Sequence, residues 1–246
     1  GEKDMNTEKE LQEYFKKSAK DINVEINDEE INEFSLYMDL LLEWNEKINL
    51  TAITEKNEII LKHFIDSLTI YKYIKENDKI ADVGTGAGFP GIPLAIMKNK
   101  NEVILVDSLN KRINFLNEVI QKIELENVIA IHSRAEDLGK DEKYREKFDI
   151  VTSRAVANLT VLVEYLLPLV DVGGYCICMK GPNIEEELNQ SKFAIRTLGG
   201  KIEKVEKIIL PDSDFERNIV IIKKEQYTDK RYPRKAGMPL KNPLLK

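Results

Sequence analysis

Residues 80–96 read IADVGTGAGFPGIPLAI, in which one acid, Asp82, is followed by four glycines within eight positions. Glycine lets a backbone approach a ligand closely and take positive φ where a side chain would collide. Two spacings are satisfied together. Gly86, Gly88 and Gly91 fit G-x-G-x-x-G, and Asp82, Gly84, Gly86 and Gly88 fit D-x-G-x-G-x-G. A phosphate held at a helix N-terminus needs backbone N–H groups, and Pro90 and Pro93 remove two of them. The loop therefore suits a ligand without a phosphate at this point, with the Phe89 ring expected at the rim to cover it.

Further along, acids and cations fall at the ends of apolar runs. Asp107 closes VILVD about twenty residues after the loop, where a carboxylate can accept both hydroxyls of a ribose; it could also cap the following helix. Ala135 and Glu136 follow NVIAIHS, and Arg154 ends DIVTSR. Arg134, Arg154, Lys180 and Arg217 are expected to rim the same mouth. Cys176 and Cys178 lie inside one apolar run and are read as pointing to opposite faces, forming neither a disulfide framework nor a zinc site. No metal site is expected, and a reducing cytoplasm is the simple reading. In HFIDS, His63, Asp66 and Ser67 share one helix face. A hydrolase triad draws its members from separate elements, so this cluster is read as a polar patch bracing helices against a sheet. Trp44 is read as a buried anchor of the same junction.

These residues need elements to position them. The chain opens with two segments of helical periodicity, TEKELQEYFKKSAKD and NDEEINEFSLYMDLLLEWNEKINL, the second with Asn27 or Asp28 as its cap. A third helix is predicted over NEIILKHFIDSLTIYKYI. Then five short β-rich runs (KIADVG, NEVILVDS, NVIAIHS, KFDIVTSR, GYCICMK) alternate with helical segments, which implies a parallel sheet with right-handed crossovers. Two last runs, KIEKVEKIIL and RNIVIIKKE, are joined by too few residues for a crossover and must be antiparallel neighbours.

The charge is uneven. The chain of 246 residues carries a net charge of −6, yet its last twenty residues hold six Lys or Arg against Asp229 alone. Such a tail can neutralise backbone phosphates even on an acidic protein, with Arg234 and Lys235 as its candidate contacts, or it can be simply a solvated terminus. No run approaches the roughly 18 apolar residues of a membrane span. The expected divisions are 1–4, read as a remnant upstream of Met5; 5–76, a helical extension; 77–226, the α/β core; and 227–246, the basic tail.

Five parallel strands and a terminal hairpin, with D-x-G-x-G-x-G after the first, resemble the Rossmann-like class I fold of S-adenosylmethionine (AdoMet) methyltransferases. It has a seven-stranded mixed sheet with helices on both faces. The Asn/Asp-Pro-Pro-Tyr/Phe motif of amino-group methylases is missing after the fourth strand, and the cysteines sit too deep for cytosine-carbon chemistry. Arg154 stands where a ribose methylase would need an acid. What remains is an acceptor that loses no proton, such as guanine N7, whose lone pair is exposed in a groove or an unpaired loop. A general base would have nothing to abstract, and alignment of the reactants would carry the rate.

LLEWNEKINLTAIT, HFIDSL, DVGTGAGFPGIPLAI, VDSLNKRINFL, SRAEDL, VTSRAVANL and RYPRKAGMP, in this order, resemble the bacterial small-subunit ribosomal RNA methyltransferase G family, also called glucose-inhibited division protein B. The resemblance runs from Leu36 to Pro239. It implies AdoMet as methyl donor and N7 of a guanine in the 530-loop region of 16S rRNA (position 527) as acceptor. It also implies cofactor contacts at Gly84, Phe89, Ala135, Glu136 and Arg154, to which Gly86 and Asp107 are added from the loop and ribose arguments. The expected partner is 16S rRNA or the small ribosomal subunit, with no membrane and a monomeric chain. Two other classes stay in view: a nicotinamide oxidoreductase, which lacks its second domain here, and a non-catalytic RNA-binding module of the same fold.

Overall fold

The computed structural model describes residues 7–154 and 157–246; the expectation for residues 1–4 lies outside them. Helix α1 (Glu8–Asp21) starts at Thr7, whose hydroxyl accepts the Glu10 N–H. Helix α2 (Asp28–Asn45) starts at a full capping box: the Asn27 side chain accepts from Glu30 N–H, and the Glu30 carboxylate accepts from Asn27 N–H. The third predicted helix is broken. It runs as α3 (Lys56–Ile59), a π-helical stretch over Ile60–Ile65, and α4 (Asp66–Leu68).

The sheet comprises β1 (Ile80–Val83), β2 (Val103–Asp107), β3 (Val128–His132), β4 (Phe148–Arg154), β5 (Val170–Lys180), β6 (Gly200–Ile209) and β7 (Glu216–Lys224). Its order is β3-β2-β1-β4-β5-β7-β6. The first five strands are parallel, and β7 lies antiparallel to both β5 and β6. Between and after the strands come α5 (Gly91–Met97), α6 (Asn110–Ile123), α7 (Ala135–Leu138), α8 (Leu159–Leu166), α9 (Glu185–Thr197) and α10 (Met238–Lys241).

Strand alternation sorts the core into two layers. Val103 and Leu105 of β2 face α5, α6 and the N-terminal helices, while Ile104 and Val106 face the layer of α8 and α9. The same period corrects the reading of the cysteines. Residues two apart on a strand share a face, and the sulfurs of Cys176 and Cys178 lie 3.6 Å apart, both fully buried beside α9 residues. Trp44 is half-buried at the end of α2, edge-to-face with Phe115 of α6 at 5.7 Å.

The strand order reverses between β1 and β4: chain connections run outward from β1 on one side and from β4 on the other. In open α/β sheets ligands bind at that switch point, beyond the carboxyl ends of the strands. Among the described residues no helix is long and apolar enough to cross a membrane.

Candidate active site

Beyond β1 the chain turns through Gly84, Gly86 and Gly88, all at positive φ. Asp82, fully buried, organises the turn. Its Oδ2 accepts from Thr85 Oγ1 at 2.7 Å and from Gly91 N–H at 2.8 Å, closing the loop onto α5. Burial pushes its carboxyl up to about 7, against the pull of those two hydrogen bonds. Gly88 is required sterically as well: a Cβ there would meet Tyr37 Oη and Ile92 Cγ1 at 2.6 Å. Tyr37 donates to the Ala87 carbonyl, so α2 is fastened directly to the glycine loop.

The loop opens on a cleft of about 870 Å³. Its lining includes Gly84, Gly86, Phe89, Asp107, Arg134, Ala135, Glu136 and Arg154. All seven residues expected at a cofactor are thus on one cavity, together with Arg134. Asp107 ties two strand ends together, accepting from Gly86 N–H at 2.9 Å and from Leu109 N–H at 3.0 Å, with Arg112 Nη1 at 3.5 Å. The first helical residue is Asn110, with Leu109 at the cap position, so Asp107 stands two residues before the cap and is not the cap itself. Glu136, almost fully buried at the start of α7, accepts from Gly237 N–H of the C-terminal segment at 2.8 Å.

Sequence reasoning missed His63 as part of this cavity. The ring lies flat on Phe89, 4.4 Å between centroids and 10° between planes. Phe89 is therefore buried between His63, Phe64 and Tyr37 and does not sit at the rim. Arg154 Nη2 lies 3.0 Å from His63 Nδ1, and its guanidinium stands over the Phe89 ring. A guanidinium can only donate, so Nδ1 accepts and the Nε2–H points to Thr51 Oγ1 at 2.7 Å. Burial and the Arg154 charge lower the imidazole to about 3. It is neutral, with both nitrogens occupied.

Asp66 completes the cluster. Its Oδ2 accepts from Arg154 Nη1 at 3.1 Å and its Oδ1 from Arg217 Nε at 3.0 Å, joining the helical segment to β4 and β7. Ser67 Oγ donates to the His63 carbonyl and makes no triad. Lys180, nearly buried, pairs with Glu187 at 2.7 Å and donates to the Ala157 carbonyl. Arg234 is held by Glu164, whereas Arg134 and Lys235 are exposed. Of the five expected RNA-facing cations, only Arg134 lines the cleft; no aspect of the sequence pattern separated it from the four others.

The residues fit AdoMet. A Cβ on Gly86 would meet no atom within 4 Å, so the space beside that backbone is open. A carboxylate offers about four acceptor positions; Gly86, Leu109 and Arg112 occupy three on Asp107, which leaves one, on Oδ1, for a hydroxyl donor. Val83, Val106, Leu109 and Ala135 supply apolar walls. The strand order, the antiparallel seventh strand and this cleft define a class: a Rossmann-like class I AdoMet-dependent methyltransferase.

Solved structures agree on the fold. The chain is similar to MtNAS in an engineered mutant form (TM-score 0.53, 18% identity, 89% of this chain and 87% of that one). It is also similar to Trm5b from Pyrococcus abyssi (TM-score 0.52, 16% identity, 65% and 48%). A family model described as rRNA small subunit methyltransferase G matches residues 30–220. The protein named ribosomal RNA small subunit methyltransferase G from Clostridium novyi is 51% identical over 243 residues, 98% of this chain and 100% of that one. The protein of the same name from Clostridium perfringens is 54% identical over 232 residues, 94% and 97%. The chain belongs to the rRNA small subunit methyltransferase G family.

Proposed function

We propose that the chain transfers the methyl group of AdoMet to N7 of a guanine in the 530-loop region of 16S rRNA, at position 527. One observation carries the choice of acceptor: the cleft offers no free general base among its described residues. His63 has both nitrogens engaged and its basicity suppressed. Asp107 and Glu136 are tied to backbone N–H groups. Asp82, the acid raised to about 7, is buried behind the loop on Thr85 and Gly91. Guanine N7 has a lone pair and no proton to lose, so a site without a base is sufficient for it.

AdoMet, when bound, supplies a sulfonium methyl carbon open to displacement. The chain's part is alignment. Gly84, Gly86, Asp107, Ala135 and Glu136 would hold the adenosine portion, with Phe89 behind the loop and Arg154 as the fixed cation. Orientation of two reactants is worth up to about 7–11 kcal/mol in favourable cases. On the RNA side, exposed Arg134, whose guanidinium lies 3.8 Å from Glu136, and exposed Lys235 are the cations suited to phosphate or to guanine O6; Lys180, Arg217 and Arg234 are less exposed and held in closer ion pairs. The chain is proposed to act as a monomer, and a ribosomal RNA substrate puts the reaction in the cytoplasm.

Single-turnover methylation of small subunits that lack the modification tests this reading. With AdoMet saturating, the rate should stay flat between about pH 6.5 and pH 8.5, because no proton leaves the acceptor. A ten-fold rise per pH unit would mean deprotonation of the acceptor and would overturn the N7 assignment.

A further inference from the structure

The last nineteen residues cross back over α7 and α8 and reach Glu136 of the cleft lining. Arg145 anchors the start of this segment, donating to the carbonyls of Thr228 at 2.8 Å and Tyr232. Pro233 then packs on Gly139. Arg234 follows with its guanidinium on Glu164, Nη2 to Oε1 at 2.8 Å and Nε to Oε2 at 3.2 Å, and its backbone N–H on the same carboxylate at 2.8 Å. Glu164 is 1% exposed, and its neighbour Tyr165 lines the cleft. Three residues on, Gly237 N–H holds Glu136 at 2.8 Å.

We infer that segment 228–242 buttresses the Glu136 side of the AdoMet cleft from behind, and that Arg234 is a positioning residue for Glu136 instead of a contact to RNA. The inference rests on the proposal that Glu136 faces the bound cofactor. Withdrawing Arg234 toward a phosphate would strand the Glu164 carboxylate in the interior without its charge partner, a strongly unfavourable state. Its planar fork fits one carboxylate through parallel N–H donors, which a lysine cannot reproduce. Exposed Lys235, one residue later, points the other chemistry outward. A single short turn thus couples an inward anchor, an outward cation and a hydrogen bond to the cofactor wall.

Full-length Arg234→Gln, Arg234→Lys and Lys235→Gln proteins test this. The readouts are AdoMet affinity by calorimetry, amide exchange over residues 228–242 without ligand, and affinity for 16S rRNA at several salt concentrations with AdoMet saturating. Arg234→Gln should weaken AdoMet about ten-fold, as loss of a charged hydrogen-bond partner implies. It should also speed exchange in the segment and leave the RNA salt dependence unchanged; Arg234→Lys should recover part of the loss. Lys235→Gln should do the reverse, weakening RNA and sparing AdoMet. Wild-type AdoMet affinity in Arg234→Gln, with RNA affinity lost, would overturn the inference. If Arg234→Gln does not fold, Glu164→Gln keeps one acceptor oxygen and removes the charge that holds Arg234; an unchanged AdoMet affinity there would equally overturn it. Failure of the wild-type chain to bind AdoMet would sink the cofactor reading itself.

Discussion

His63 illustrates what a residue's neighbours do to its chemistry. In the sequence it belongs to a helix-face cluster and reads as bracing, which is half of its role. Its position on Phe89 and its bond to Arg154, ninety-one residues away, could not be read from spacing. The place of Asp107 on the cleft was legible because a strand-end acid about twenty residues after a glycine loop lies beside that loop. The buried imidazole makes a pH prediction. Its folded pKa of about 3 lies below the ordinary 6.5, so the unfolded chain takes up a proton that the fold refuses. The contribution of His63 is fully present above pH 6.5 and is lost as pH falls toward 3. Urea unfolding of wild type and His63→Asn at about pH 7 and about pH 5 should show the wild type losing about 2 kcal/mol more than the variant. Equal losses would mean the imidazole is not held neutral.

At the scale of elements, the helical extension is part of the site. The π-helical stretch Ile60–Ile65 buries Ile60, Leu61, His63, Phe64 and Ile65. π-Turns recur at functional sites; here the turn delivers His63 and Asp66 to the sheet. The strands, their parallel order and the final hairpin were legible because alternation and connection length constrain a sheet tightly. The break in the third helix was not, since apolar residues on all sides leave no phase to follow. Asp66 fixes this junction by accepting from Arg154 and Arg217. Asp66→Asn leaves two half-buried guanidiniums without their carboxylate, and equilibrium unfolding should show a loss of about 1.5–3 kcal/mol. The double variant Asp66→Asn/Arg217→Gln should lose less than the two single losses summed, because one cluster couples them. Strict additivity would contradict the network.

On the scale of the whole molecule, an acidic chain handles a polyanionic substrate by local means. Net charge is −6, but the cleft presents Arg112, Arg134 and Arg154, and the C-terminal segment exposes Lys235. The basic composition of that segment was legible; its folded path was not, because Arg145, Glu164 and Glu136 lie far from it in sequence. The measurement that tests the central claim most directly uses tritiated AdoMet with small ribosomal subunits lacking this modification, followed by digestion of the RNA to nucleosides. The account predicts label in 7-methylguanosine alone, mapping to the 530 loop. Label in any other nucleoside, or none despite demonstrable AdoMet binding, would contradict it.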